Sequence, residues 1–203
     1  LVIYQQVGII LIRRYVRMSV KEEIIIQTRQ LMYQKGYTAT SISDIMTEAK
    51  VGKGQLYYYF RSKKEIGLAA TDAIIKEWRS ELFEAIFHSE KPPKEKLEAM
   101  IEWIFSDHKG QTVFNGCPIG NLIVELSTQD SNFRMKLLSF ISEWQDELGR
   151  ILKQLHPELD NNTIEEHSQQ MIATIQGNII LLKVTQDITV LETGLRKLKE
   201  DYL

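Results

Sequence analysis

Disulfides, β-strands and membrane spans are what this chain has least material for. One cysteine in 203 residues rules out an intramolecular disulfide framework and fits a reducing cytoplasm. Four prolines and eleven glycines punctuate it sparsely, and no stretch shows convincing strand alternation. The four histidines, His88, His108, His156 and His167, are scattered without ligand spacing, so neither a metal site nor a cofactor is expected. The apolar run at residues 9–12 is far too short to cross a bilayer, and no membrane partner is expected.

Apolar residues instead recur at three and four spacing through most of the chain, which argues for an all-α protein. Charge is distributed unevenly. Residues 1–64 hold eleven Lys and Arg against four Asp and Glu, and the remainder holds fourteen against twenty-three. A basic module on an acidic body approaches a polyanion with one end only. The first seventeen residues, LVIYQQVGIILIRRYVR, begin without Met and lack a small-residue cleavage site, so they do not read as a signal peptide. They are expected to be an upstream extension or non-native start; the alternative is a basic arm, carrying Arg13, Arg14 and Arg17, that lies near DNA.

Helix starts are well marked. Ser19 with Glu22 forms a capping box, and the stripe Ile24, Ile25, Thr28, Leu31, Met32 runs to a left-handed stop at Gly36. Ser41 with Asp44 opens a second short helix through Ile45 to Ala49; after the turn Lys50-Val51-Gly52 a third covers residues 53–59. Ser62 with Glu65 is a third box, opening a long helix towards Phe87. Two short helices separated by a three-residue turn make a helix-turn-helix module. Beyond the break SEKPPKEK, further stripes predict body helices ending near Gly110, starting at Pro118, and covering 133–155, 163–186 and 189–202, an antiparallel bundle.

The segment IIIQTRQLMYQKGYTATSISDIMTEAKVGKGQLYYYFRSKKEI, residues 24–66, resembles the DNA-binding domain of the TetR (tetracycline-repressor-like) family of bacterial regulators without a gap. It carries the GY-x-x-T-S, D-I, V-x-K-G-x-L-Y and F-x-S-K-x-E elements. The stretch GCPIGNLIVELS resembles one branch of that family. The resemblance implies a homodimer that binds a palindromic DNA operator and releases it when a small-molecule effector occupies the C-terminal domain. It also implies the architecture: a three-helix helix-turn-helix DNA-binding domain at residues 18–65, joined by a long fourth helix to a ligand-binding and dimerisation bundle at 66–203, with 1–17 as the extension.

Carried over by position, Ser41 and Ser43 contact phosphate, Lys53, Gly54, Gln55, Tyr57 and Tyr59 belong to the recognition helix, and Lys63 holds the DNA backbone. The chain departs from the pattern at Gly52, where serine is common, and at Tyr58 and Tyr59, where polar, basic or histidine residues are common. Physical chemistry supports the assignments. Helix N-termini welcome phosphate oxygens, Gly54 permits close backbone approach, and Gln55 can both donate to and accept from adenine. Leu56 and Phe60 read as core, and Tyr58 is left open between helix 1, solvent and a flanking phosphate.

For the sensor, the large side chains Trp78, Trp103, Phe114, Phe140 and Trp144 are candidates to line a pocket, with core packing as the alternative. Cys117, at the expected N-cap before Pro118, is a candidate sensor of electrophiles because a helix dipole lowers a thiol's pKa, with Lys183 as partner of the thiolate; the other reading is a small buried side chain. The last two helices resemble in position the family's dimer pair, so Ile172, Ile175, Ile179, Leu182, Leu191, Leu195 and Leu198 are expected at the interface. An enzyme is disfavoured, since no histidine is placed near Cys117 and no catalytic signature occurs. A ligand-independent dimeric activator or scaffold is the remaining alternative.

Overall fold

The computed structural model describes residues 18–203, so the expectations for residues 1–17 lie outside the described residues. Nine α-helices and one π-helical run follow in order among the described residues, with no strand. The N-terminal unit comprises α1 (Val20–Lys35), α2 (Ile42–Glu48), α3 (Lys53–Tyr59) and the start of α4 (Lys63–Trp78). The expected capping boxes form at α1 and α2: each N-cap serine hydroxyl accepts from the N3 backbone N–H, and the N3 carboxylate accepts from the serine N–H. At α4 only half of the box forms. Ser62 caps Glu65, but the Glu65 carboxylate takes the N–H of Arg61.

Gly36 ends α1 at φ 86°, a value natural to glycine. The α2–α3 turn is a Schellman motif: Val51 N–H reaches Met46 O at 3.0 Å and Lys50 N–H reaches Thr47 O at 3.2 Å. Lys50 occupies its left-handed position at φ 53°, where glycine is the usual residue. Ile24, Leu31, Ile45, Ala49, Leu56, Phe60 and Ile66 close a small core beneath these helices.

At Arg79 the fourth helix widens into the π-helical run Arg79–Phe87, closed by His88 N–H on Phe83 O, five residues back, at 2.8 Å. The wider winding keeps Leu82, Phe83 and Phe87 on the buried side, continuing the stripe Ile66, Ala70, Ile74 and Ile75 of α4. The body is completed by α5 (Pro93–Lys109), α6 (Pro118–Leu126), α7 (Ser131–Leu155), α8 (Asn161–Thr185) and α9 (Ile188–Tyr202). Its core is continuous from Ile74 to Leu198. α8 packs against both α7 and α9, and α9 also rests on α5. No helix among the described residues is long and apolar enough to cross a membrane, and no group of side chains there is arranged to hold a metal ion.

Candidate DNA-binding surface and interdomain cleft

The recognition-helix candidate is α3, Lys53–Tyr59. Leu56 and Phe60 fix it to the core, and Lys53, Gly54, Gln55, Tyr57 and Tyr58 all face outward. The tyrosine triplet divides differently from expectation. Tyr58 is the outermost at 81% exposure and Tyr57 follows at 43%, whereas Tyr59 packs partly against the small core and holds Tyr58 edge-on, with ring centroids 4.9 Å apart. No side chain caps α3 at Gly52.

Ser41 and Ser43 are exposed at the start of α2. The Ser41 hydroxyl accepts from Asp44 N–H at 3.0 Å. Asp44 in turn meets Lys35 at 2.7 Å, and the Lys35 hydrogen bond, with those of Ser41, holds its carboxyl well below the usual range. Among the described residues, Lys50, Lys53 and Arg61 are exposed around α3 with no carboxylate partner. Lys50 and Arg61 went unread at the sequence level; both are basic positions directly flanking α3, and that flanking was the available signal.

Lys63, at the start of α4, is partly exposed. Its amine donates to Thr38 O at 3.0 Å and lies over the Tyr37 ring at 4.5 Å, and burial pushes its pKa down. It braces the α1–α2 turn from a partly exposed position. That turn has a second brace that sequence reasoning missed: Glu125 of α6 accepts from Tyr37 N–H at 2.9 Å and from Thr38 N–H at 2.6 Å. Burial opposes ionisation of Glu125, but the hydrogen bonds from Thr38 and Tyr37 outweigh it and hold the carboxyl below its ordinary value. A lone acidic residue inside the apolar run of IGNLIVEL was the available signal. The Tyr37 ring continues the contact, packing on Phe133 at 5.1 Å and against Gly67, where an added Cβ would come within 2.5 Å of it.

A cleft of about 480 Å³ opens beside this brace, between the last turn of α1, α6 and the C-terminal half of α8. Cys117 and Lys183 line it; Trp78, Trp103, Phe114, Phe140 and Trp144 do not. Phe114, Phe140 and Trp144 are buried in the core, and Trp78 and Trp103 pack against it partly exposed. Trp78 stands edge-on to Trp103 at 5.1 Å, Phe140 at 5.8 Å and Trp144 at 5.9 Å, because the apolar faces of α4, α5 and α7 converge there. Phe114 is buried with its backbone held at both ends by the Gln186 amide at 2.9 Å.

Cys117 does stand at the N-cap of α6, where its sulfur accepts from Gly120 N–H at 3.3 Å and Gln176 Nε2 at 3.5 Å. The expected lowering of its pKa is not met: burial pushes the thiol up, over the opposing hydrogen bonds. Lys183 directs its amine to Asn121 Oδ1 at 3.1 Å. The expected interface residues are also corrected. Ile172, Ile175, Ile179, Leu182, Leu191, Leu195 and Leu198 are all buried within the chain, since α8 and α9 turn these faces to α5 and α7. The outward face of α8 carries Ala173, Gly177, Ile180, Leu181 and Val184, with Ile180 at 58% and Val184 at 75% exposure.

Comparison with known proteins gives the family and the fold. Residues 24–70 match the family described as bacterial regulatory proteins, tetR family. Residues 93–196 match the C-terminal domain described as transcriptional regulator LmrA/YxaF-like. The chain is 43% identical over 184 residues to an HTH-type transcriptional regulator in the lacX 3' region of Lactococcus lactis subsp. lactis, covering 91% of this chain and 93% of that one. It is 26% identical over 181 residues to the HTH-type transcriptional repressor DhaR of Mycobacterium sp. (strain GP1), covering 84% and 86%. The fold matches the reduced form of E. coli NemR with a TM-score of 0.75 at 21% identity, over 90% of this chain and 96% of that one.

Proposed function

The chain belongs to the TetR family of bacterial regulatory proteins and is a helix-turn-helix transcriptional regulator; from that premise we propose that it is a cytoplasmic homodimeric repressor of a palindromic operator. Residues 18–65 are the DNA-binding unit and 66–203 the effector-binding and dimerisation unit. A small-molecule effector releases the DNA. The relatives are regulators and repressors by name, which supports a role without turnover.

One observation carries the DNA reading. α3 is held by Leu56 and Phe60 while Lys53, Gly54, Gln55, Tyr57 and Tyr58 project together, flanked by the exposed cations Lys50 and Arg61, which have no carboxylate partner among the described residues. Cations supply attraction to phosphate and lose it with salt; Gln55 supplies base discrimination; the tyrosine hydroxyls reach phosphates. Two copies of α3 roughly 34–36 Å apart would enter successive major grooves of one DNA face. Dimerisation is assigned to the outward stripe of α8, because Ile180, Leu181 and Val184 stand exposed there among the described residues.

Selection of an operator from random duplexes, followed by anisotropy titrations across salt, tests this. Lys53→Ala is expected to weaken selected and random DNA alike and to lower the salt slope by about 1. Gln55→Ala is expected to relax preference at one base pair by ~1–3 kcal/mol with little effect on random DNA. Equal losses on both DNAs from both substitutions would reject the assignment of roles.

A further inference from the structure

We propose that the cleft between α1, α6 and α8 is the effector site, and that it takes a small organic monocarboxylate with a short apolar tail. Its effect on DNA rests on the regulator reading above; its ligand chemistry rests on the cleft alone. At about 480 Å³ the cleft is within the range of small-molecule sites. Part of its wall is apolar, from Met32, Val124, Ile179 and Ile180. Three charged side chains face it: Lys35 from α1, Glu125 from α6 and Lys183 from α8.

These charges are not equally free. Lys35 is paired with Asp44 at 2.7 Å, and Glu125 has both oxygens on the N–H groups of Tyr37 and Thr38. Lys183 has only the neutral Asn121 oxygen at 3.1 Å and no carboxylate partner among the described residues. A ligand carboxylate beside Lys183 would gain a charge-assisted hydrogen bond that the protein does not already supply. A second negative charge would be opposed by Glu125 on the same wall, which is why a monoanion fits. The tail then lies along Met32 and Ile179.

Occupancy also has a direct route to α2 and α3. The last turn of α1 is one wall of the cleft, and it runs straight into the turn that Glu125 holds. At Gly36 the fit is already tight, since an added Cβ would meet Glu125 Oε2 at 3.1 Å. A ligand that moves α6 away from the end of α1 lengthens the bonds from Tyr37 and Thr38 and releases α2 and α3 from their orientation. Differential affinity for the two arrangements sets the size of the effect.

The test uses the purified full chain, titrated calorimetrically with sodium hexanoate and, as its uncharged counterpart, hexanamide. Hexanoate is expected to bind at least about tenfold more tightly than hexanamide. Lys183→Met should remove that advantage and Lys183→Arg should keep it. With hexanoate bound, backbone amide exchange in residues 36–40 is expected to accelerate, and operator affinity to fall. Hexanoate binding that is absent up to about 10 mM, or unchanged in Lys183→Met, overturns the site; binding that leaves both amide exchange and operator affinity unmoved overturns its role as effector site. Failure of the chain to bind any selected duplex would instead overturn the regulator reading, and calorimetry would still decide the cleft.

Discussion

Leu56 is fully buried and Tyr58, two positions on, is 81% exposed, so neighbouring residues of one seven-residue helix do opposite work. Leu56→Ala is expected to destabilise the small core by ~2–5 kcal/mol, the usual cost of a buried leucine truncation. Tyr58→Ala should leave thermal stability nearly unchanged, within about 0.5 kcal/mol, yet weaken operator binding several-fold through a lost phosphate contact and a lost partner for Tyr59. Thermal melts and anisotropy on the same preparations separate the two. A Tyr58→Ala protein with full operator affinity would show that the exposed ring is no part of the DNA surface. Which of three consecutive tyrosines projects was not legible in the sequence, because helix phase over so short a segment depends on how Phe60 docks. That Leu56 and Phe60 are anchors was legible, from their spacing of four alone.

Between elements, the decisive contact is a single carboxylate. Glu125 on α6 accepts two backbone N–H groups of the α1–α2 turn, and Lys63 on α4 takes a carbonyl of the same turn. Glu125→Gln keeps the shape but leaves one N–H facing an amide donor. It is expected to cost about 1–2 kcal/mol, from the worth of charged hydrogen bonds reduced by partial exposure, and to weaken operator binding as the turn loosens. The pH dependence has a definite sign. Because the folded-state pKa of Glu125 is lowered, its contribution is fully present above the unfolded value near ~4.3 and is lost as pH falls through the folded value. Urea titrations should therefore show a gap between wild type and Glu125→Gln that is constant from about pH 5 to 7 and closes towards about pH 3. A gap that widens on acidification would contradict the role given to the charge. The helices themselves were readable because their caps are local: Ser19, Ser41 and Ser62 each act on residues within one turn. Glu125 joins residues 87 and 88 positions apart, and no local pattern carries that.

At the scale of the whole molecule, α8 is apolar on more than one side. The run Ile179-Ile180-Leu181-Leu182 is too broad for a single face, since Ile179 and Leu182 enter the core and Ile180 and Leu181 do not. Each exposed large side chain buried against a second copy would contribute about 1.5–3 kcal/mol, and the stripe occurs once per chain, as a twofold interface requires. The paired change Ile180→Asp with Val184→Asp is expected to yield a folded monomer by light scattering and circular dichroism, with operator affinity reduced by well over about tenfold, since one half-site is then lost. Persistence of the dimer would move the interface elsewhere. Val124, 77% exposed on α6, lines the cleft together with Ile180 of this face, so subunit packing and cleft occupancy share a boundary.

By itself the sequence determined the helical class, the helix boundaries, the basic polarity of the N-terminal unit and its helix-turn-helix form, because each of these follows from capping, period or charge acting within a few residues. Tertiary structure alone decided that Phe114, Phe140 and Trp144 fill the core, that Cys117 is buried with a raised pKa, that Lys63 reaches the α1–α2 turn, and that the apolar stripes of α8 and α9 expected at an interface are consumed within the chain. The physical reason is common to all four. Burial is a property of which faces meet, and a helix with apolar residues on two sides has two ways to meet its neighbours until the packing of the rest selects one.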